Sequence, residues 1–449
     1  MAPPLTLTLP PGACPPPADL FPRFAALPGA AFLDTALPSA TARTSILAAQ
    51  PSLVLRAAPD EPCEVFLDRL RRELAARACP PITGLPFIGG AIGYLGYEAG
   101  ATLQRVQPRA PDDLPLPAAA FAFYDTALVH DHATGLTTLV APDAGALEHL
   151  HRFVTAPNAC PPPSAPRFSV GPLRPDLSPS AYAAALERIR TYIAAGDTYQ
   201  VNFTQRFTAP FSGSAAALYL RLRALNPAPH SAYLDFGDHQ IVSSTPERLL
   251  RVSGRDLETR PIKGTIARLP DPAADAAQRA RLLASAKDHA ELLMIVDLAR
   301  NDLGRVAIPG SVHVAARHDL ETYATVHHLV ATVRARLAPG LDRFDALRAL
   351  HPGGSITGAP KVRAMQIISE LEPSRRHAYT GALGYFGYDG DADLAIAIRT
   401  ITCAAGRASY HVGGGITWDS DPDSEYQETL HKGRALHQAL TPPPAVVLH

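Results

Sequence analysis

Along these 449 residues, stretches with strand periodicity and stretches with helix periodicity follow one another without a strict strand–helix–strand alternation. A doubly wound parallel sheet requires that alternation, because each parallel crossover is made by a helix. The pattern predicts an α+β or layered α/β fold instead. The Pro-rich start, 1 to about 20, is expected to be irregular. Short strands are read from Ala31 to about Leu47. Apolar residues at helical spacing predict an amphipathic helix over 64–78. The Gly-rich, aromatic run 86–100 reads as a buried strand with close backbone approach, and 118–142 as a hairpin turning at 131–135. The strongest linker signal, dense in Pro, Ser and Ala, covers 155–179. It predicts a strand-rich N-terminal domain over 1–160 and a second domain over 175–440.

Past the linker the reading gives a helix over 180–195 and strands at 200–209, 230–236, 240–244 and 249–252. A long helix follows from about 274 to 300 and another over 342–350. A Gly-rich loop, 351–360, opens a helix over 361–371. Strands at 379–388, 394–402 and 408–413 lead to a last helix over 423–440. No internal repeat is present.

Hydrophobic residues make up 47% and charged residues 18%, the composition of a globular chain. A net charge of −1 leaves no electrostatic footprint for a nucleic acid or an anionic membrane. The five cysteines (Cys14, Cys63, Cys79, Cys160, Cys403) show no C-x-x-C spacing, which fits a reducing compartment. There is no secretory signal and no run of about 20 apolar residues. A cytoplasmic protein is expected.

One residue type is used very unevenly. Of the 41 basic residues only four are lysine (Lys263, Lys287, Lys361, Lys432), and none occurs in the first 262 positions. A chain that places arginine wherever a charge faces water keeps a lysine where arginine cannot act. A desolvated lysine can shed its proton and become a nucleophile; guanidinium cannot. Lys263 lies in Pro261-Ile262-Lys263-Gly264-Thr265, read as a rigid turn lining a cleft.

Other chemistry collects nearby in type. Glu425, Glu428 and Lys432 share one face of the last helix, whose start is marked by Asp421 and Pro422. Asp288 and Glu291 repeat the spacing on the long helix. Two such carboxylate pairs are suited to one Mg²⁺, a hard cation that takes few carboxylates plus substrate oxygens. The loop HPGGSITGAPK, 351–361, leads straight into a helix and presents backbone N–H groups. Gly413-Gly414-Gly415 offers a second backbone-only surface. Arg399 is a lone charge in the apolar strand pattern IAIRTI. These features suit a substrate bearing carboxylates. A nucleotide is disfavoured because neither P-loop nor dinucleotide spacing occurs.

The runs GDTYQVNFTQRF, SSTPERLL, PIKGT, ELLMIVDLARNDLGRV, PGGSITGAPKVRAMQIISELEP, IRT and GGGITWDSDPDSEYQET closely resemble the chorismate-utilising enzymes. The likeness is dense over about 175–440 and looser over LDT, RTSIL and GGAIGYLGYE. It implies a layered α/β/β/α sandwich of the anthranilate synthase component I type, with large antiparallel-rich sheets flanked by helices. It also implies chorismate as substrate and Mg²⁺ as cofactor. By position, Glu291 and Glu428 look like metal ligands, with Asp288 (where many members carry Glu) and Glu425 beside them. Gly264, Thr265, Ser355, Tyr379, Arg399, Gly413, Gly415 and Lys432 match positions that hold the substrate. His328 matches an active-site histidine, although the residue pattern alone places it on a packed helix.

Two positions separate branches of the family. Isochorismate and salicylate synthases carry a water-activating lysine where this chain has Gln200, which implies ammonia as the nucleophile. Anthranilate synthases carry alanine where this chain has Lys263, and lysine there is similar to the aminodeoxychorismate synthases. The resemblance then gives Lys263 as covalent nucleophile and Glu247 as general acid and base, with an anthranilate synthase as the alternative. It implies ammonia from a separate glutamine amidotransferase subunit, and no nucleic-acid or membrane partner. A tryptophan pocket near Leu33-Asp34-Thr35 is a further feature found in family members.

Overall fold

The computed structural model describes residues 3–156, 167–323 and 326–441. The centre of the predicted linker, with Cys160, lies outside them. Two large antiparallel sheets dominate, one of 13 strands and one of 10. Three apolar clusters order them into layers. Ile46, Val129 and Ala232 of the larger sheet meet Ile92, Ala122 and Leu383 of the smaller one in the central core. Helices Pro17–Ala25, Ala215–Leu225 and the end of Pro422–Leu440 cover the outer face of the larger sheet through Phe21, Leu222 and Leu436. Helices Cys63–Ala76 and Ala286–Gly304 cover that of the smaller one through Phe66 and Leu292, while Lys361–Leu371 lies against the strand Gln200–Gly213 of the larger sheet. The result is the expected helix–sheet–sheet–helix sandwich.

The segments before residue 160 and after 175 contribute strands to both sheets. Ala31–Asp34 pairs with His230–Asp235 in one, Asp34 facing Ser231. Gly90–Leu95 pairs with Ala382–Gly387 in the other, Tyr94 facing Leu383. Among the described residues no helix is long and apolar enough to cross a membrane.

Several local expectations are corrected. The segment predicted irregular holds regular elements: Leu5–Leu9 is an edge strand against Thr137–Ala141, and the helix Pro17–Ala25 follows. The run 86–100 holds the strand Gly90–Leu95 and then turns into the helix Tyr97–Leu103. The hairpin over 118–142 is Ala127–Asp131 with Thr137–Ala141, while Ala119–Tyr124 belongs to the other sheet. The long helix over 274–300 is two, Pro272–Leu283 and Ala286–Gly304, because Ser285 Oγ accepts from Asp288 N–H and starts the second afresh. The strand over 394–402 is also two, Ala392–Ile396 and Thr400–Ala404, in different sheets. The chain crosses between sheets at 397–399, where Arg399 takes a φ of 51°.

Candidate active site

Lys263 lies on the edge strand Ile262–Ala267, opposite Leu329 of the strand Val326–Arg336. The predicted rigid turn is thus a bulged strand: the register shifts between Lys263 and Thr265, and Gly264 has a φ of 74°. A Cβ at Gly264 would stand 3.0 Å from Asp288 Cβ, so glycine lets the first turn of the helix Ala286–Gly304 close over the bulge. The half-buried Lys263 ammonium is held below its ordinary pKa, chiefly because the cleft strips its water; Lys432 pushes the same way, and Glu291, Glu247 and Glu428 oppose it.

Glu247, buried, follows Pro246 where the strand His239–Thr245 gives way to Arg248–Ser253. Ile262 N–H donates to Glu247 Oε1 at 3.3 Å, tying the carboxyl to the residue before Lys263. Burial raises its pKa to about 7; the Ser355 hydroxyl, the Ile262 N–H and the Lys263 charge oppose but do not cancel it. A carboxyl balanced near neutrality can both give and take a proton. Ser355, in the 351–360 loop, is buried with its hydroxyl beside the Glu247 carboxyl. Lys361 anchors that loop, donating to Asp302 and, at 3.1 Å, to Leu350 O.

His328 sits on a strand, facing Thr265 across the ladder, and the helix expectation for it is corrected. Thr265 Oγ1 is 2.7 Å from its Nδ1, and Arg399 Nη2 stands 3.4 Å from its Nε2. Burial, then the Arg399 charge, drives its pKa well below the usual histidine value. The ring is neutral, and Arg399 has no carboxylate partner among the described residues. A half-buried guanidinium beside a neutral imidazole and a threonine hydroxyl forms a receptor for a carboxylate.

The strand Gln200–Gly213 pairs with Arg407–Ile416, placing Asn202 opposite Gly415 and Thr204 opposite Gly413. A Cβ on Gly415 would meet Gln200 Nε2 at 2.4 Å and Lys263 Nζ at 3.3 Å. The absent side chain is therefore what brings lysine and amide to one spot. Gln200 is fully buried, and among the described residues neither its side-chain amide nitrogen nor its oxygen has a hydrogen-bond partner. A buried amide with nothing to bond is costly, and marks a place where a ligand completes the set.

Glu425 and Glu428 lie over the glycine run: a Cβ on Gly414 would stand 2.9 Å from Glu425 Oε2 and 3.7 Å from Glu428 Oε1. Lys432 Nζ binds Glu428 Oε1 at 2.6 Å and donates to Gly413 O at 3.2 Å. Burial would raise the pKa of Glu428, but Lys432 with the more distant Lys287 and Lys263 brings it below the usual value. Glu425, which accepts from Ser420 Oγ at 2.6 Å, is raised by burial and by Glu428.

Across the cleft Glu291 has Lys287 Nζ at 3.9 Å. Among the described residues no three such side chains form a ready-made metal cage. The donor chemistry nevertheless fits a hard dication: the two pairs offer only carboxylate oxygens, and a lysine ammonium already stands beside each pair.

Of the predicted residues, Tyr379 is placed here only by its ring contact. It is buried and stacks on His411 at 5.0 Å. Lys287 was missed, though its place among four lysines and its i,i+4 spacing to Glu291 were visible in the sequence.

Residues 34–438 match the model of the chorismate binding enzymes. The chain is 45% identical over 359 residues to aminodeoxychorismate synthase component 1 of Klebsiella aerogenes, covering 80% of this chain and 79% of that protein. It is 42% identical over 396 residues to anthranilate synthase component 1 of Streptomyces coelicolor, covering 83% and 77%. Anthranilate synthase component I from Streptococcus pneumoniae superposes with a TM-score of 0.76 at 33% identity, over 90% of this chain and 94% of that one.

Proposed function

This chain belongs to the chorismate-binding enzyme family, and from that premise we propose that it aminates chorismate at ring carbon 4, as component 1 of an aminodeoxychorismate synthase. The observation that carries the reading is the pairing of Lys263, depressed in pKa by its cleft, with Glu247, raised to about 7 and tied to the neighbouring Ile262 N–H.

In the first step the neutral Lys263 amine forms a bond to ring carbon 2. Both conjugated ring double bonds shift toward carbon 4, and the 4-hydroxyl departs as water after taking a proton from Glu247. In the second step ammonia bonds to carbon 4, both double bonds shift back, and the carbon 2–lysine bond breaks. Glu247 now accepts a proton from the incoming nitrogen and is ready to protonate the next leaving group. One difficult substitution becomes two easier ones. Arg399, with Thr265 and His328 behind it, receives a substrate carboxylate, and Gln200, an amide with no basic nitrogen, cannot deprotonate water.

Glu291 and Glu428, flanked by Asp288 and Glu425, would hold a Mg²⁺. The ion supplies charge neutralisation for substrate carboxylate oxygens. Ammonia comes from a separate glutamine amidotransferase, in keeping with the "component 1" in the relatives' names. The scattered cysteines suit a cytoplasmic setting.

The anthranilate synthase relatives favour one competing reading, amination at carbon 2. Lys263→Ala separates the two. Loss of most 4-amino product supports the covalent role, whereas undiminished 4-amination removes it.

A further inference from the structure

Three of the four lysines stand at the cleft: Lys263 on the bulged strand, Lys287 and Lys432 beside the acidic pairs. The fourth, Lys361, is buried at the start of the helix Lys361–Leu371, with its ammonium donating to Asp302 and to Leu350 O. Asp302 is buried as well. The head group explains why a chain that favours arginine keeps lysine here. A compact ammonium has three N–H donors, whereas a guanidinium brings five that burial would oblige to be satisfied.

The two bonds close a clasp. Leu350 and Lys361 are the ends of the loop 351–360, so one ammonium draws the neck of the loop together. Asp302 fastens that neck to the helix Ala286–Gly304. Leu298, four residues before Asp302 and on the same helix face, receives the middle of the loop: a Cβ on Gly354 would stand 2.5 Å from Leu298 Cδ2. Further along, Arg376 Nη1 donates to Ile356 O at 2.9 Å and Asn202 N–H to Thr357 O at 2.8 Å. Ser355 thus has a pinned neighbour on either side, and its hydroxyl lies beside the buried Glu247 carboxyl.

We propose that Lys361 and Asp302 are positioning residues for the amination: their clasp keeps the loop closed and so holds the Ser355 hydroxyl against Glu247, the group that moves the protons. The inference rests on the amination reading above. The groups that bear on the Glu247 carboxyl are Lys263 and Ile262 N–H from the bulged strand and Ser355 from the loop, and all three favour the carboxylate over the acid. Of these only Ser355 depends on the clasp, since the other two belong to the strand Ile262–Ala267. Opening the clasp withdraws one donor from the carboxylate, so Glu247 keeps its proton to a higher pH.

The test compares the full chain with three variants. Lys361→Met/Asp302→Leu replaces the buried pair by apolar groups, a change commonly neutral for stability when both charges go together. Asp302→Asn keeps the shape and weakens the clasp, and Ser355→Ala removes the hydroxyl itself. Each is assayed for 4-amino product from chorismate, Mg²⁺ and ammonium across the neutral pH range at constant free ammonia. The quantity followed is kcat/KM, whose pH profile reports the free enzyme, with the melting temperature beside it.

In all three variants the alkaline limb, near 7 in the native chain, is expected to move up by about one pH unit, the weight of one hydrogen bond to a charged group. In the two clasp variants kcat/KM on the acid side of the limb should also fall at least about tenfold. If the double variant does not fold, Asp302→Asn decides alone. A limb that stays near 7 while the rate falls would make the pair a stability device and overturn the proposal. Undiminished kcat/KM would overturn it too, as would a shift in the clasp variants that Ser355→Ala does not share. A native chain with no alkaline limb, or with no 4-amino product, fails the amination reading itself, which is a distinguishable result.

Discussion

Lys263 and Glu247 are where charge, burial and chemistry meet, and each gives a separable expectation. Lys263→Ala should bind chorismate and melt like the native chain yet lose most 4-amino product, read by chromatography. Glu247→Gln should lower turnover by roughly 100-fold or more, the usual scale for a lost general acid and base. The native rate should fall as pH rises through about 7, because Glu247 must be protonated to release the hydroxyl.

Stability carries the same signature. The folded carboxyl titrates near 7 against an ordinary 4.5, so its contribution is fully present below about pH 4.5 and is lost as pH rises through 7. Relative to Glu247→Gln, the native chain should lose on the order of 3 kcal/mol across that window in denaturant titrations. A parallel pH dependence in the two proteins would contradict this. Lys263 was legible from the scarcity of lysine alone. His328 was not: its neutral, buried state depends on Thr265 and Arg399, residues brought to it by strand register and by a crossover between sheets.

Among the elements, the two paired strands under the glycine run make opposite predictions at two glycines of one motif. At Gly415 an added Cβ meets the movable ends of Gln200 and Lys263, whereas at Gly413 it meets the backbone oxygen of Phe203 at 2.2 Å. Gly415→Ala should therefore keep its melting temperature within a few degrees while turnover drops at least about tenfold. Gly413→Ala should lose stability first, visible as a lowered melting temperature before any kinetic comparison. A stable, fully active Gly415→Ala protein would contradict the placement of Gln200 and Lys263.

Helix faces were legible because their spacing is local: Glu425, Glu428 and Lys432 fall on one face, and Asp421 caps the helix as its position before Pro422 suggested. Helix breaks were less so. The periodicity runs through Ala284 and Ser285, and only the hydrogen bond from Asp288 N–H to Ser285 Oγ shows that a new helix begins there. That restart sets Asp288 and Glu291 over the bulge at Gly264, so the carboxylates owe their position to a serine that the pattern did not single out.

For the molecule as a whole, the layered class was legible from the lack of strict alternation, and the family from long motifs in fixed order. Which strands become neighbours was not. Asp34 facing Ser231 and Tyr94 facing Leu383 are pairings between residues about 200 or more positions apart, decided by which apolar faces fit and not by local pattern. Those pairings build both sheets from both ends of the chain, and they hold the strand bearing Lys263, the strand bearing Gln200 and the two acidic helices in one frame.

The central claim is that this frame directs nitrogen to carbon 4 through Lys263. The most direct measurement is the identity of the product formed by the purified chain from chorismate, Mg²⁺ and ammonium, resolved by chromatography with mass detection. The expected product is 4-amino-4-deoxychorismate, which a lyase converts to 4-aminobenzoate; anthranilate in its place would contradict the role given to Lys263.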